Sequence, residues 1–176
     1  MVSLFENMLY MVPLSGLVAL AFGYLFYRDI FSRGTGNDEM RSIYEAIKDG
    51  AMAYLTRQYK TIGIISVIVA VLIILAGDVF GVDRLGWEVA LAFLLGAGFS
   101  ALSGFIGMYV AVNSNIRTAD AARSSLKEAF HVSFRGGAIS GIAVAALSLL
   151  GVFTLFMVFE FLAEGATIAI ALEHVV

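Results

Sequence analysis

The chain has 176 residues, of which 60% are hydrophobic and only 14% charged, with a net charge of -3 and a mean hydropathy of +0.91. A soluble domain carries about a quarter charged residues, so this composition excludes an ordinary soluble fold. The absence of cysteine removes disulfides, thiolate zinc sites and cysteine nucleophiles, and no basic face is large enough to suggest a nucleic-acid partner.

Ten of the eleven Lys and Arg residues lie in two gaps between long apolar runs. Arg28, Arg33, Arg41, Lys48, Arg57 and Lys60 fill the first gap, and Arg117, Arg123, Lys127 and Arg135 the third. The middle gap has only Arg84, set against Asp78, Asp83 and Glu88. Membrane chains keep Lys and Arg on the cytoplasmic side. The alternation therefore predicts an all-α, polytopic transmembrane helix bundle of four spans in the lipid bilayer, with cytoplasmic helical extensions and both termini outside. Each crossing needs about 20 apolar residues.

The first span is expected at 8–27. Glu6 precedes it and no basic residue does, unlike a cleavable signal peptide. Pro13 falls in its first turns, where a missing N–H costs little. Ser15, Ala19 and Gly23 give it a small-residue face. The glycines of Ser32–Asn37 mark a loop, and Asn37 or Asp38 can cap the next helix. From Met40 to Leu55 apolar residues recur at helical spacing opposite Arg41, Glu45, Lys48 and Asp49, predicting an amphipathic cytoplasmic helix at 38–60. No breaker separates it from the second span, 61–77, whose Ile and Val suit a lipid-facing surface.

Trp87 is placed as an interfacial anchor after the outside turn. In the third span, 89–112, Gly96, Ser100 and Gly104 form one small-residue row and Ser103, Gly107 and Ala111 another, which predicts close packing in the middle of a bundle. Asn113-Ser114-Asn115 should end that span, with Thr118 capping a second cytoplasmic helix at 117–135. That helix leads into the fourth span, 136–159, where Gly137, Gly141 and Ala145 repeat the small-residue pattern. Glu160 and Glu164 close it, and the apolar run Ala166–Leu172 is too short to cross. No basic or aromatic anchor comes after it, so a longer protein is expected.

Candidate chemistry is sparse. Asp38, Glu39, Glu45 and Asp49 offer oxygens for Mg²⁺, but Arg41 and Lys48 stand at i,i+3 and i,i+4 spacing, the pattern of a solvated helix face. Arg117, Arg123, Lys127 and Arg135 could attract phosphate or anionic lipid but suit positive-inside anchoring better, and Arg135-Gly136-Gly137 lacks the lysine and hydroxyl of a phosphate loop. His131 and His174 fall on opposite faces of the membrane and cannot share a metal. Ionisable residues inside spans mark ion paths, and the four span centres contain none. No catalytic, cofactor-binding or metal-binding residue is assigned.

Three segments carry a family resemblance: Ala46-Ile47-Lys48-Asp49-Gly50-Ala51-Met52-Ala53-Tyr54-Leu55 with Arg57–Ile62; Leu95-Gly96-Ala97 through Ser103-Gly104-Phe105-Ile106-Gly107-Met108; and Asn115-Ile116-Arg117-Thr118-Ala119 through Phe134-Arg135-Gly136-Gly137-Ala138. In order and spacing they resemble the membrane-integral pyrophosphatases, which couple pyrophosphate hydrolysis to H⁺ or Na⁺ transport. The resemblance covers most of residues 38–145. It implies a pump of about sixteen spans, more than 176 residues supply at about 20 per span, and therefore an N-terminal segment belonging to the outer ring of helices. It also implies Mg²⁺, possible K⁺ dependence and a homodimer, while the short loops suit a prokaryotic plasma membrane. The pyrophosphate and Mg²⁺ ligands belong to later helices, so none is carried over to this chain. The competing readings are a complete four-helix scaffold subunit without activity, or half of a repeat-built transporter.

Overall fold

The computed structural model describes the backbone of residues 2–79 and 86–173 and the side chains of 11–77, 79 and 86–159. The expected outside turn with Asp83 and Arg84, the side chains of Glu6, Asp78, Glu160 and Glu164, and His174 lie outside the described residues. Four helices make up the described chain: α1 Val2–Phe31, α2 Asp38–Asp78, α3 Trp87–Ala122 and α4 Leu126–Glu173. Each is long and apolar enough to cross a membrane. The protein is an all-helical, multi-pass integral membrane protein.

The turn between α1 and α2 is set by local chemistry. Gly36 takes a φ of 70°, and a Cβ there would meet the Met40 sulfur. Asn37 is the cap of α2, its side-chain oxygen accepting from the Met40 amide at 3.0 Å. α2 then runs through Gly50 and into the apolar stretch without interruption.

Two local expectations are corrected. Helix α1 begins at Val2, so Pro13 sits inside it and its missing N–H falls within the hydrogen-bond ladder, not in the first turn. Asn113-Ser114-Asn115 does not end α3, and Thr118 lies within that helix. Asn113 is buried; its amide donates to the Tyr109 carbonyl at 2.8 Å, and its side-chain oxygen accepts from the Tyr44 hydroxyl at 2.8 Å. A tertiary partner satisfies the polar group, so the helix has no reason to stop. The break comes instead at residues 123–125, where Ser125 accepts from the Glu128 amide at the start of α4.

The order in space differs from the order in sequence. Among the described residues α4 lies between α1 and α3, α2 packs on α3 alone, and α1 only grazes α3. Small residues set these approaches. A Cβ on Gly136 would fall 2.7 Å from the Ser114 hydroxyl, and one on Gly151 3.0 Å from the Phe99 ring, so both glycines let α4 close on α3. On α1 the contact stripe holds Gly16, against Leu150, and Gly23, against Ile142. Gly23 belongs to the expected row, but Ser15 is exposed and turns its hydroxyl back to the Val12 carbonyl. The row Gly137, Gly141, Ala145 faces away from the other three helices and is exposed. The core where three helices meet is Ile30, Val110, Val132 and Ile139.

Candidate functional site at the basic end of the bundle

The charged residues with described partners gather at the end of the bundle formed by the α1–α2 turn and the α3–α4 turn. Asp29, in the last turn of α1, is the hub. Its carboxylate accepts from Arg33 at 3.3 Å and pairs with Arg135 of α4. Arg33 also donates to Glu128 at 2.8 Å, a bond that raises the guanidinium pKa. The side chains involved are 26–50% exposed, so solvent screens each pair and none contributes much to stability. Their combined effect is positional: they clasp the end of α1 to α4.

Two arginines are held by aromatic faces as well. Arg135 lies over Phe26 at 5.5 Å and Arg117 over Phe31 at 4.5 Å. Arg117 donates to the Asn113 carbonyl at 2.7 Å, while its Nε is buried without a partner, as is the Ser114 hydroxyl. Asp120 lies against the loop: a Cβ on Gly34 would fall 2.8 Å from its carboxylate. It also pairs with Arg123 at 3.6 Å.

Just inside this end, α1 and α3 leave an open groove of 320 Å³ between them, floored by α4. Leu20, Tyr24 and Tyr27 line one wall, Phe105 and Tyr109 the other, and Ile142 the floor. The rings form a stacked ladder, Tyr24–Tyr27–Phe31–Tyr109–Phe105, with centroid separations of 6.5, 4.1, 6.1 and 6.2 Å.

The residues weighed from sequence do not converge on one site. Asp38, Glu39, Glu45 and Asp49 are all exposed on α2. No group of three His, Asp or Glu side chains able to hold a metal occurs among the described residues. Arg117, Arg123 and Arg135 have separate partners, and Lys127 and His131 are exposed. Sequence reasoning missed Asp29 as the hub and Asn113 as a tertiary bond. The i,i+4 spacing of Asp29 and Arg33 was a usable signal for the first; the second had none beyond an Asn closing an apolar run.

Comparison with known proteins adds what this geometry lacks. The family model described as inorganic H⁺ pyrophosphatase matches residues 17–175. The chain is 49% identical over 148 residues to the K⁺-insensitive pyrophosphate-energized proton pump 2 of Moorella thermoacetica, a match covering 84% of this chain and 21% of that protein. It is 51% identical over 138 residues to the K⁺-insensitive pyrophosphate-energized proton pump of Caldanaerobacter subterraneus, covering 74% and 19%. A putative K⁺-stimulated pyrophosphate-energized sodium pump of Bacteroides thetaiotaomicron is 38% identical over 143 residues, covering 81% and 19%. The chain spans about a fifth of the length of these curated relatives.

Proposed function

The chain belongs to the inorganic H⁺ pyrophosphatase family, and from that membership we propose that it is the N-terminal outer scaffold of a membrane pump that couples pyrophosphate hydrolysis to H⁺ or Na⁺ transport. The observation that carries this reading is the chemistry of the helices. Among the described residues the span centres at 11–27, 61–77, 89–112 and 136–159 contain no ionisable Asp, Glu, His, Lys or Arg, the groups that mark ion paths and proton relays within a membrane. The helices instead offer packing: glycines between α3 and α4, and a clasp holding α1 to α4.

In this reading the basic end faces the cytoplasm, the side on which membrane chains retain Lys and Arg. Pyrophosphate would be bound in a pocket on that side, and Mg²⁺, where the pump holds it, would neutralise phosphate charge. The ligands of that pocket belong to other helices of the pump. The contribution of this chain is to hold the surrounding helices in place. The transported ion and any K⁺ dependence are likewise set by residues elsewhere in the pump, which the family resemblance implies to be a homodimer.

The decisive experiment is complementation. The purified 176-residue chain alone should release no phosphate from Mg²⁺-pyrophosphate. Co-expressed with a family pump lacking the corresponding segment, it should restore hydrolysis and ion uptake. Hydrolysis by the chain alone, or failure to restore a stably expressed partner, would overturn the scaffold assignment. Cysteines placed at Ser32 and Ser124 should react with an impermeant maleimide only from the cytoplasmic side.

A further inference from the structure

We propose that the groove between α1 and α3 binds an acyl chain of an anionic glycerophospholipid, with Arg28 and Arg117 at its basic end holding the phosphate. The groove exists because α1 packs on α4 and only grazes α3. Its interior half is aliphatic, with Leu20, Ile142 and Ile106. Toward the basic end it becomes aromatic, with Tyr24, Tyr27 and Tyr109 presenting hydroxyls that have no side-chain hydrogen bond among the described residues. Tyrosine prefers the level where hydrocarbon meets headgroups, so the wall changes character along its length as a phospholipid does.

The volume suits a tail. At roughly 30 Å³ per methylene, the room taken by a liquid water, 320 Å³ accommodates on the order of ten carbons. An open apolar slot in a bilayer is filled by lipid or by another helix, and the charge at its mouth favours lipid. Arg28 follows Tyr24 by one helical turn, is exposed, and has no carboxylate partner among the described residues. Arg117 stacks over Phe31, the central ring of the ladder, and has its Nε unpartnered. The nearby acids are already engaged, Asp29 by Arg33 and Arg135 and Asp120 by Arg123. The mouth therefore carries surplus positive charge, which a phosphodiester balances and the apolar side chains of a packed helix do not.

This proposal does not depend on the pump reading, and its test measures lipid, not hydrolysis. The chain in detergent micelles is mixed with equal amounts of dioleoyl phosphatidylglycerol and dioleoyl phosphatidylcholine, and retained lipid is counted by native mass spectrometry. Phosphatidylglycerol should be retained in preference. Arg28→Gln, an exposed change that leaves the core intact, should lower that preference about fivefold, the weight of one cation near an anionic headgroup. Arg28→Gln with Arg117→Gln should abolish it, and Leu20→Trp, which fills the slot, should reduce retention of both lipids. Equal retention of the two lipids by the unaltered chain, or no change in Arg28→Gln or Leu20→Trp, overturns the proposal. So does a Tyr24→Cys variant of a whole family pump that cross-links to a protein helix and not to a photoactivatable phosphatidylglycerol.

Discussion

α2 and α4 are both long, apolar helices, yet they meet their surroundings in opposite ways. In α2 the membrane-crossing half exposes Ile64, Ile65, Val67, Ile68, Val71 and Leu72, and among the described residues it touches only α3. In α4 the row Gly136, Ile139, Ala143, Ala146, Leu147 and Gly151 is buried against two neighbours. Hydrophobicity does not distinguish them, because lipid tails are as apolar as leucine. Side-chain size does: small residues let backbones approach until dispersion forces and short polar contacts hold them. Where branched residues cover a helix, lipid is an equally good neighbour.

Four substitutions would break or sharpen that contrast, and unfolding of the purified chain in mild detergent reads each of them. The largest effect should come from Gly136→Leu, which places a side chain where the Ser114 hydroxyl already stands; overpacking of about 1–3 kcal/mol or more is expected, seen as a lowered midpoint or loss of the folded fraction. Next, Asn113→Leu strands the Tyr44 hydroxyl and should cost about 1–3 kcal/mol, with faster proteolysis of the 38–60 segment as its local signature. Tyr59→Phe removes the 2.7 Å bond to the Ala101 carbonyl, a principal polar link between α2 and α3. Within a membrane such a bond is worth only about 0.6 kcal/mol on average, so a small shift is expected. The smallest effect should be that of Gly141→Val, since nothing lies within 4 Å of a Cβ there. A near-neutral result would support the assignment of that row to an outward face, whereas a large loss would mean that this face of α4 is packed.

Much of this architecture is legible in the residues, and the rest is hidden for a physical reason. The apolar runs and the basic gaps give four helices because the bilayer fixes both helix length and the placement of charge. The small-residue rows were visible, but periodicity identifies a face without naming its neighbour. Thus Gly104 meets the Tyr59 hydroxyl and Gly107 meets Ser140, while Gly137 and Gly141 meet nothing among the described residues. Asn113-Ser114-Asn115 looks like a helix end because asparagine competes for the backbone. Only the arrival of Tyr44, 69 residues away, removes that competition. The hub at Asp29 depends equally on Arg135, whose proximity no local pattern encodes.

The placement of α4 between α1 and α3 has a consequence for synthesis. A ribosome delivers α1 first, yet its main partner is the last of the four helices to emerge. The hairpin of α2 and α3 can close as soon as it is made, but α1 must wait alone in the lipid or beside the insertion machinery until α4 arrives and draws it in. The interval leaves Gly16 and Gly23 uncovered, so the bundle is most vulnerable to mispairing and to quality-control proteases during translation of residues 32–125. Slowing elongation over that stretch should lower the yield of inserted protein more than slowing it anywhere later.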